Sequence, residues 1–154
     1  MQLFKNYFGN EVKIHLVREN NPAKECLVKS PKDVYELVKD ELKKADREVF
    51  LAISLNTRNK VLGINTVSVG SLNASLVHPR EVFKPAILQN ATGLILVHNH
   101  PSGEEKPSSE DLEITRRLVE AGKLLQIEVM DHVIVGNKFY SFADNDLINK
   151  KERS

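Results

Sequence analysis

Cysteine is almost absent from this sequence, since Cys26 is the only one among 154 residues. A disulfide framework and a cysteine-rich zinc cluster are therefore both excluded within the printed chain. Neither sign of charge dominates, because 22 lysines and arginines balance 21 aspartates and glutamates to a formal net charge of +1. This balance does not favour a domain that binds nucleic acid through a strongly basic surface.

Long apolar runs are also absent, and no stretch approaches the roughly 18 apolar residues that span a bilayer. Residues 1–13 lack the apolar run of a signal peptide, so we expect a cytoplasmic protein without membrane contact. The lone cysteine fits a reducing compartment. A chain of this length can bury the core of a single domain without help from disulfide bonds or a structural metal.

Apolar spacing predicts the first elements. Residues 12–16 alternate between apolar and polar side chains, which predicts a half-buried strand. A helix should begin after Ser30, a suitable N-cap, with Pro31 at the first helical position. Two strand-like runs around the turn at residues 56–60 then predict a hairpin.

The second half of the chain predicts a helix, a strand, a helix and a hairpin. The second helix should start at Pro79 and be kinked or loosened by Pro85. The apolar run over residues 92–100 predicts a central strand buried on both faces. A third helix should follow and end at Gly122, before a hairpin over residues 127–142. This order predicts an α/β sandwich with a mixed sheet rather than a doubly wound nucleotide fold.

The stretch VHNHPSGEEKPSSED carries the clearest chemical signal. Strand side chains repeat every two residues, so His98 and His100 should share one face while Asn99 points to the other. A helix that begins after the intervening loop can bring Asp111 back over the strand end. Two histidines and one carboxylate suit a catalytic zinc ion, which keeps its fourth tetrahedral position for water.

A simpler interpretation of Asp111 stays open. Ser108, followed three residues later by Asp111 and then by an apolar run, is also a capping box. In that case Asp111 would cap its own helix and hold no metal.

The same residues resemble a known family. His98, His100, Ser108 and Asp111 match the JAMM metalloprotease signature, which is His-x-His, seven residues, Ser, two residues and Asp. The strings VHPREVFK, ILVHNHPSG, PSSED and DHVIVG resemble the RadC family of bacterial proteins, over about residues 30–143. The resemblance implies a mixed-sheet sandwich of the JAMM, or cytidine-deaminase-like, type with flanking helices.

The resemblance also implies roles for individual residues. The ligands of a Zn²⁺ ion would be His98, His100 and Asp111. Glu48, directly after the first helix, would be the general base, with Glu81 as its nearest rival. Ser108 would donate a hydrogen bond to the developing oxyanion. Candidates for partners of the ligands, or for the substrate groove, are Asn99, Ser102, Asp131 and His132.

The implied activity is that of a zinc-dependent metallopeptidase or isopeptidase, which hydrolyses an amide bond of a peptide or protein with a metal-activated water. The alternative is a non-catalytic JAMM-fold module that binds protein or DNA in a DNA-repair or mobile-element context. A nuclease is not favoured by the tripeptide at 98–100, because HNH nucleases disperse their three residues over a strand-pair and helix unit.

The domain organisation follows from the same comparison. We expect a strand-containing extension over residues 1–29, a RadC-like JAMM domain over 30–143 and a charged tail over 144–154. Residues 1–29 offer no glycine-centred turn between two helices, so the helix-hairpin-helix segment of typical RadC proteins is not expected there. Exposed strand edges could support a homodimer.

Overall fold

The computed structural model describes residues 13–17, 25–73 and 75–148. Within these ranges the chain forms three helices and five strands. In order they are α1 (Pro31–Leu42), β1 (Val49–Leu55), β2 (Val61–Val69), α2 (Pro79–Leu88), β3 (Gly93–Asn99), α3 (Ser109–Leu125), β4 (Glu128–Val135) and β5 (Phe139–Ser141).

The five strands form one mixed sheet in the order β2-β1-β3-β4-β5. Only β3 and β4 run parallel, while the other neighbouring pairs are antiparallel. The helix α3 supplies the crossover that a parallel pair requires. β3 lies at the centre and all seven of its residues are buried, which confirms the predicted central strand and mixed sheet.

One face of the sheet is covered by α1. Ser30 caps this helix, Pro31 occupies its first turn, and Val34, Val38 and Leu42 are buried, as the apolar spacing predicts. They pack against a layer of strand residues that alternate toward this face: Leu51, Ile53, Leu55, Ile95, Val97, Val133 and Val135. This face of the central strands is therefore almost entirely apolar.

The opposite face is covered by α2 and α3. Phe83 of α2 and Leu118 of α3 join strand residues such as Leu94 and Leu96 in the larger apolar cluster. The molecule is thus a three-layer sandwich of helix, sheet and helices. Because β3 alternates, the face that carries Leu94 and Leu96 also carries His98, at the end of the strand nearest the start of α3.

Three details differ from the sequence prediction. Residues 13–17 are exposed and form no strand, and Val12 lies outside the described residues. Near the hairpin, Leu27 instead forms a single bridge with Lys60. α3 continues past Gly122 to a left-handed cap at Gln126. Gly122 serves close packing, because a Cβ there would lie 2.5 Å from the carbonyl oxygen of Ile127.

The position of Pro85 and the buried face of α3 became clear only from the structure. α2 extends through Pro85 and includes it as an internal residue. In α3, Leu112 is 43% exposed, whereas Ile114, Thr115 and Leu118 are buried and form the inner face of the helix.

Candidate metal centre

The end of β3 brings two imidazoles together. His98 is fully buried, and its Nε2 lies 2.9 Å from Nε2 of His100. His100 follows the last strand residue, and its backbone N–H donates to the carbonyl of Val135 at 2.9 Å. This bond continues the pairing with β4 past the end of the strand. The two side chains therefore share a face, as the alternation predicts.

The first turn of α3 places a carboxylate beside these rings. Asp111 is only 2% exposed, with Oδ1 3.1 Å from Nε2 of His98 and Oδ2 3.3 Å from Nε2 of His100. Oδ2 also accepts the backbone N–H of Ser108 at 2.7 Å, and the Ser108 hydroxyl accepts the N–H of Asp111. The capping box is thus present, and the same carboxylate also faces both histidines.

The ligand atoms of these three residues lie close enough to bind one metal ion. Ligand atoms about 2.0–2.1 Å from zinc lie about 3.3 Å apart at the corners of a tetrahedron. The two Nε2 atoms lie 2.9 Å apart, Oδ1 of Asp111 lies 3.1 Å from one of them and Oδ2 lies 3.3 Å from the other. One ligand atom from each residue therefore lies within 4.8 Å of the other two. The nitrogen and oxygen donors also match the ligands that zinc prefers. His98, His100 and Asp111 can therefore hold a metal ion, each with one ligand atom.

The outer ring nitrogens of both histidines have partners as well. Nδ1 of His100 lies 2.7 Å from the carbonyl oxygen of Glu104, which can only accept a hydrogen bond. A proton of His100 is thus held on Nδ1, so that in the neutral ring the lone pair available for a ligand bond lies on Nε2. Nδ1 of His98 lies 2.7 Å from Nε2 of His132. Such partners orient ligating histidines and raise their basicity.

The loop after His100 is held close to the turn between β4 and β5. Asn137 donates its backbone N–H to the carbonyl of Gly103 at 2.9 Å. A Cβ at Gly136 would lie 2.5 Å from that same carbonyl oxygen, so this approach requires a glycine. The contact keeps the carbonyl of Glu104 in place behind His100.

The electrostatics of the cluster suit a cation. Burial alone would raise the pKa of Asp111, but hydrogen bonds from His100 and His98 outweigh burial and hold this pKa well below its usual range. The hydrogen bond with Asp111 in turn raises the pKa of His100, and the charge of Glu48 adds a smaller contribution. A negative charge is therefore maintained on Asp111 at the centre of the cluster.

Glu48 lies immediately before β1 and beside the cluster, close enough for its charge to act on His100. Phe50 pairs with His98 across the sheet, and continuing this register places Glu48 opposite His100. The half-buried carboxylate accepts the backbone N–H of Leu72 at 2.6 Å through Oε2. On the other face, Asn99 fixes the start of β1 by accepting the N–H of Val49 at 2.6 Å. Glu48 is thus held at the edge of the site.

The other candidates occupy different places. Ser108 is exposed at the mouth of the cluster. Glu81 lies on the surface of α2, where Oε2 is 3.2 Å from Nζ of Lys84. Ser102 accepts a 3.4 Å bond from Glu104 in its own loop. Asp131 accepts bonds from Ser141 and from backbone N–H groups, including that of Ala143, so it fixes the start of the final turn.

The residue that the sequence prediction missed is Thr115. Its Oγ1 lies 2.6 Å from Nδ1 of His132 and donates to the carbonyl of Asp111 at 2.6 Å. The signal in the sequence was a single hydroxyl on a helix face otherwise lined with apolar residues, four positions after Asp111. Burial lowers the pKa of His132 well below its usual value, and the charge of His98 adds to this effect.

Among the described residues, every buried side-chain nitrogen and oxygen has a hydrogen-bond partner. The polar groups behind the cluster therefore form a satisfied network. Across the same described ranges, none of the helices has the length and apolar character required to cross a membrane.

Comparison with known proteins gives a family match over most of the chain. A family model described as RadC-like JAB domain matches residues 28–147. This range includes every helix and strand above and all the residues of the candidate metal centre.

Curated relatives are about half identical to this chain over the aligned residues. A UPF0758 protein of Desulfitobacterium hafniense is 52% identical over 134 residues, covering 87% of this chain and 56% of the relative. One of Moorella thermoacetica is 55% identical, covering 79% and 54%. One of Methanosarcina mazei is 47% identical, covering 79% and 53%. The chain thus spans about half the length of the curated relatives that it matches.

Proposed function

Because this chain belongs to the RadC-like JAB domain family, we propose that it is a zinc-dependent metallopeptidase or isopeptidase that hydrolyses an amide bond. One observation carries the proposal. The ligand atoms of His98, His100 and Asp111 lie within 4.8 Å of one another, close enough to bind one metal ion, and the charge of Glu48 acts on His100. The relatives' names state no activity, so the proposal rests on this geometry and on the family.

The three side chains would hold zinc through two imidazole nitrogens and one carboxylate oxygen. When bound, zinc would polarise the amide carbonyl and lower the pKa of water to about 7. Three protein ligands are typical of catalytic rather than structural zinc sites, which use four. The chain has no cysteine near the cluster, since its only cysteine is Cys26.

Glu48 would move the proton during hydrolysis. Its carboxylate would accept a proton from the attacking water and then deliver it to the nitrogen of the leaving amine. The N–H of Leu72 fixes one oxygen of this carboxylate and so restricts its orientation. The pairing of Val49 with Asn99 fixes the backbone next to it. A base that is held in place in this way needs little reorganisation during the reaction.

Ser108 would stabilise the charge that develops on the carbonyl oxygen of the substrate. Its hydroxyl oxygen accepts the N–H of Asp111, which leaves the hydroxyl proton to be donated. The exposed position at the start of α3 gives a substrate access to this group. Hydrogen bonds to a developing oxyanion commonly make the largest contribution to such catalysis.

The first prediction separates Glu48 from its rival Glu81. We expect Glu48→Gln to lower hydrolysis at least about a hundredfold, because general acid–base catalysis contributes this much, while zinc content stays at wild-type level. Glu81→Gln is the matched control, since Glu81 lies on the surface of α2 in a pair with Lys84. The measurement is cleavage of a defined peptide library, with mass spectrometry of the products and metal analysis of the same samples.

Three results would contradict the proposal. Full activity in Glu48→Gln would show that another group is the base. Stoichiometric zinc in a wild-type protein that cleaves no peptide or isopeptide bond would favour the non-catalytic JAMM-fold module instead. Absence of zinc binding even after reconstitution would remove the metal chemistry altogether.

A further inference from the structure

A chain of buried hydrogen bonds lies behind His98. Nδ1 of His98 is 2.7 Å from Nε2 of His132, and Nδ1 of His132 is 2.6 Å from Oγ1 of Thr115. Oγ1 of Thr115 donates to the backbone carbonyl of Asp111 at 2.6 Å. All four residues are at most 2% exposed. This series of hydrogen bonds begins at His98 and ends at Asp111, both of which belong to the candidate metal centre.

The direction of the bonds follows from the last acceptor. A backbone carbonyl can only accept, and a threonine hydroxyl has one proton to donate. Once Thr115 donates this proton to Asp111, its oxygen can only accept from His132. The proton of the His132 ring therefore belongs on Nδ1, and Nε2 carries a lone pair.

The same reasoning extends to His98. Nε2 of His132, with its lone pair, must accept the proton on Nδ1 of His98. A neutral imidazole with its proton on Nδ1 has its free lone pair on Nε2. That nitrogen is the one that faces Asp111 at 3.1 Å and His100 at 2.9 Å.

We propose that Thr115 and His132 form a positioning relay, which fixes the proton of His98 on Nδ1 and so directs the lone pair of Nε2 to the metal. This inference deepens the proposed function, because it rests on the same metal site. It also gives α3 a second role. The first turn of this helix supplies one ligand through the Asp111 side chain and sets the protonation of another through the Asp111 carbonyl.

Two aromatic side chains contact the ring of His132 and restrict its position. Phe142 stacks on the ring with centroids 4.7 Å apart and planes inclined by 20°. Phe50 contacts it edge-on, with centroids 5.6 Å apart. With both sides occupied, only the hydrogen-bond partners of the ring determine which nitrogen holds the proton.

The first test reads the protonation directly and requires no variant. Long-range ¹H–¹⁵N correlation NMR on ¹⁵N-histidine-labelled wild-type protein, with and without zinc, assigns the proton of each ring. We expect His132 to carry its proton on Nδ1 in both states, and His98 to carry its proton on Nδ1 in the zinc-loaded state. A proton on Nε2 of His132 would overturn the relay.

The second test measures zinc affinity by competition with a chelating dye. Thr115→Val keeps the shape of the side chain but removes the acceptor, so we expect zinc to bind about 10–100-fold more weakly. Thr115→Ser restores a hydroxyl and should restore affinity to near the wild-type value. Ser54→Ala is the control, because it removes another buried hydroxyl far from the cluster. Ser54 lies opposite Leu94, at the end of β3 away from His98.

The outcomes separate the relay from the proposed function, since neither measurement involves hydrolysis. Wild-type affinity in Thr115→Val, or equal losses in Thr115→Val and Thr115→Ser, would overturn the relay. If Thr115→Val does not fold, as judged by circular dichroism, the NMR assignment of the wild type still decides. A protein with the expected protonation and affinities but no hydrolytic activity would reject the proposed function and leave the relay in place.

Discussion

Two helices in this molecule begin with the same local motif. At α1, the backbone N–H of Ser30 donates to Asp33 at 2.9 Å, and the Asp33 N–H donates back to the Ser30 hydroxyl at 3.3 Å. At α3, the corresponding bonds between Ser108 and Asp111 are 2.7 and 3.1 Å. Both are reciprocal capping boxes with an aspartate at the third helical position.

The two boxes differ in what lies opposite the carboxylate. Asp33 is partly exposed and accepts a further backbone N–H from Lys29 at 2.8 Å. Asp111 is buried and faces His98 and His100 at the end of the central strand. The four-residue motif therefore specifies the cap, whereas the sheet next to the helix determines whether the capping carboxylate can also bind a metal.

The charges of the two carboxylates are maintained by different groups. The backbone N–H of Lys29 makes the largest contribution to lowering the pKa of Asp33, followed by the Ser30 hydroxyl. In the metal-free protein the pKa of Asp111 is lowered despite burial, because its interactions with His100 and His98 outweigh the effect of burial. Capping and metal binding are therefore compatible at Asp111, since both require the ionised carboxylate.

Replacing each aspartate with asparagine should produce the largest difference between the two capping boxes. An amide in place of Asp111 removes a charged ligand, so we expect zinc to bind at least about a hundredfold more weakly, the upper range for loss of an outer partner. Asp33→Asn changes the same position of the other box and should leave zinc affinity unchanged. Calorimetric titration of both proteins with zinc measures the difference.

Equal zinc affinity in the two variants would mean that Asp111 acts only as a cap. The thermal unfolding of both metal-free variants provides the control, because each loses the same kind of capping interaction. A loss of zinc binding in Asp111→Asn is thus assigned to the ligand only if this protein remains folded.

A smaller effect is expected from the two serines. Ser30→Ala and Ser108→Ala each remove one capping acceptor, which costs about 1 kcal/mol of unfolding free energy. For a chain of this size this corresponds to a fall of about 2–4 °C in the melting temperature. Urea and thermal unfolding of the metal-free proteins test whether the two losses are similar.

Hydrolysis should then separate the two serine variants. Ser108→Ala should lower activity because the hydroxyl beside the cluster is lost, while Ser30→Ala, across the sheet from α3, should not. Equal activity in both would restrict Ser108 to its capping role.

Much of the fold could be predicted because local patterns determine it. The apolar spacing of α1 and the apolar run that begins β3 indicate burial that needs no knowledge of the partner. Gly122 was wrongly predicted as a helix end, since its reason is the close approach of Ile127, which depends on the packing of α3 against β4. The alternation at residues 12–16 was also misleading, because the described part of this stretch, residues 13–16, is exposed and forms no strand.

The residues of the candidate site likewise fall into those that local sequence could predict and those that it could not. His98 and His100 could be predicted as a pair because a strand fixes their common face. The role of Thr115 could not be predicted, because it depends on the distance between α3 and His132 on β4. The bond between Glu48 and Leu72 likewise joins residues 24 positions apart. Contacts of this kind are determined by tertiary packing and have no local signature.

The smallest effect concerns the pH dependence of stability in the metal-free protein. On the acid side the two boxes behave alike, because both aspartates have lowered pKa values. Each contributes stability at pH values above the unfolded pKa of 3.8, and this contribution is lost as the pH falls through the folded value. The two boxes should differ only in how stability changes as the pH rises, because Asp111 faces His100, whose pKa is raised, and Asp33 does not.

The hydrogen bond that protonated His100 donates to Asp111 raises the pKa of His100 above its unfolded value of 6.5. Its contribution is therefore fully present below pH 6.5 and is lost as the pH rises through the folded pKa. We expect the unfolding free energy of the chelator-treated wild type to fall over this range, and His100→Gln to abolish that fall. His15→Gln, which alters an exposed histidine outside the cluster, should retain it. An unchanged pH dependence in His100→Gln would show that the pair of Asp111 and His100 contributes nothing to the stability of the metal-free fold.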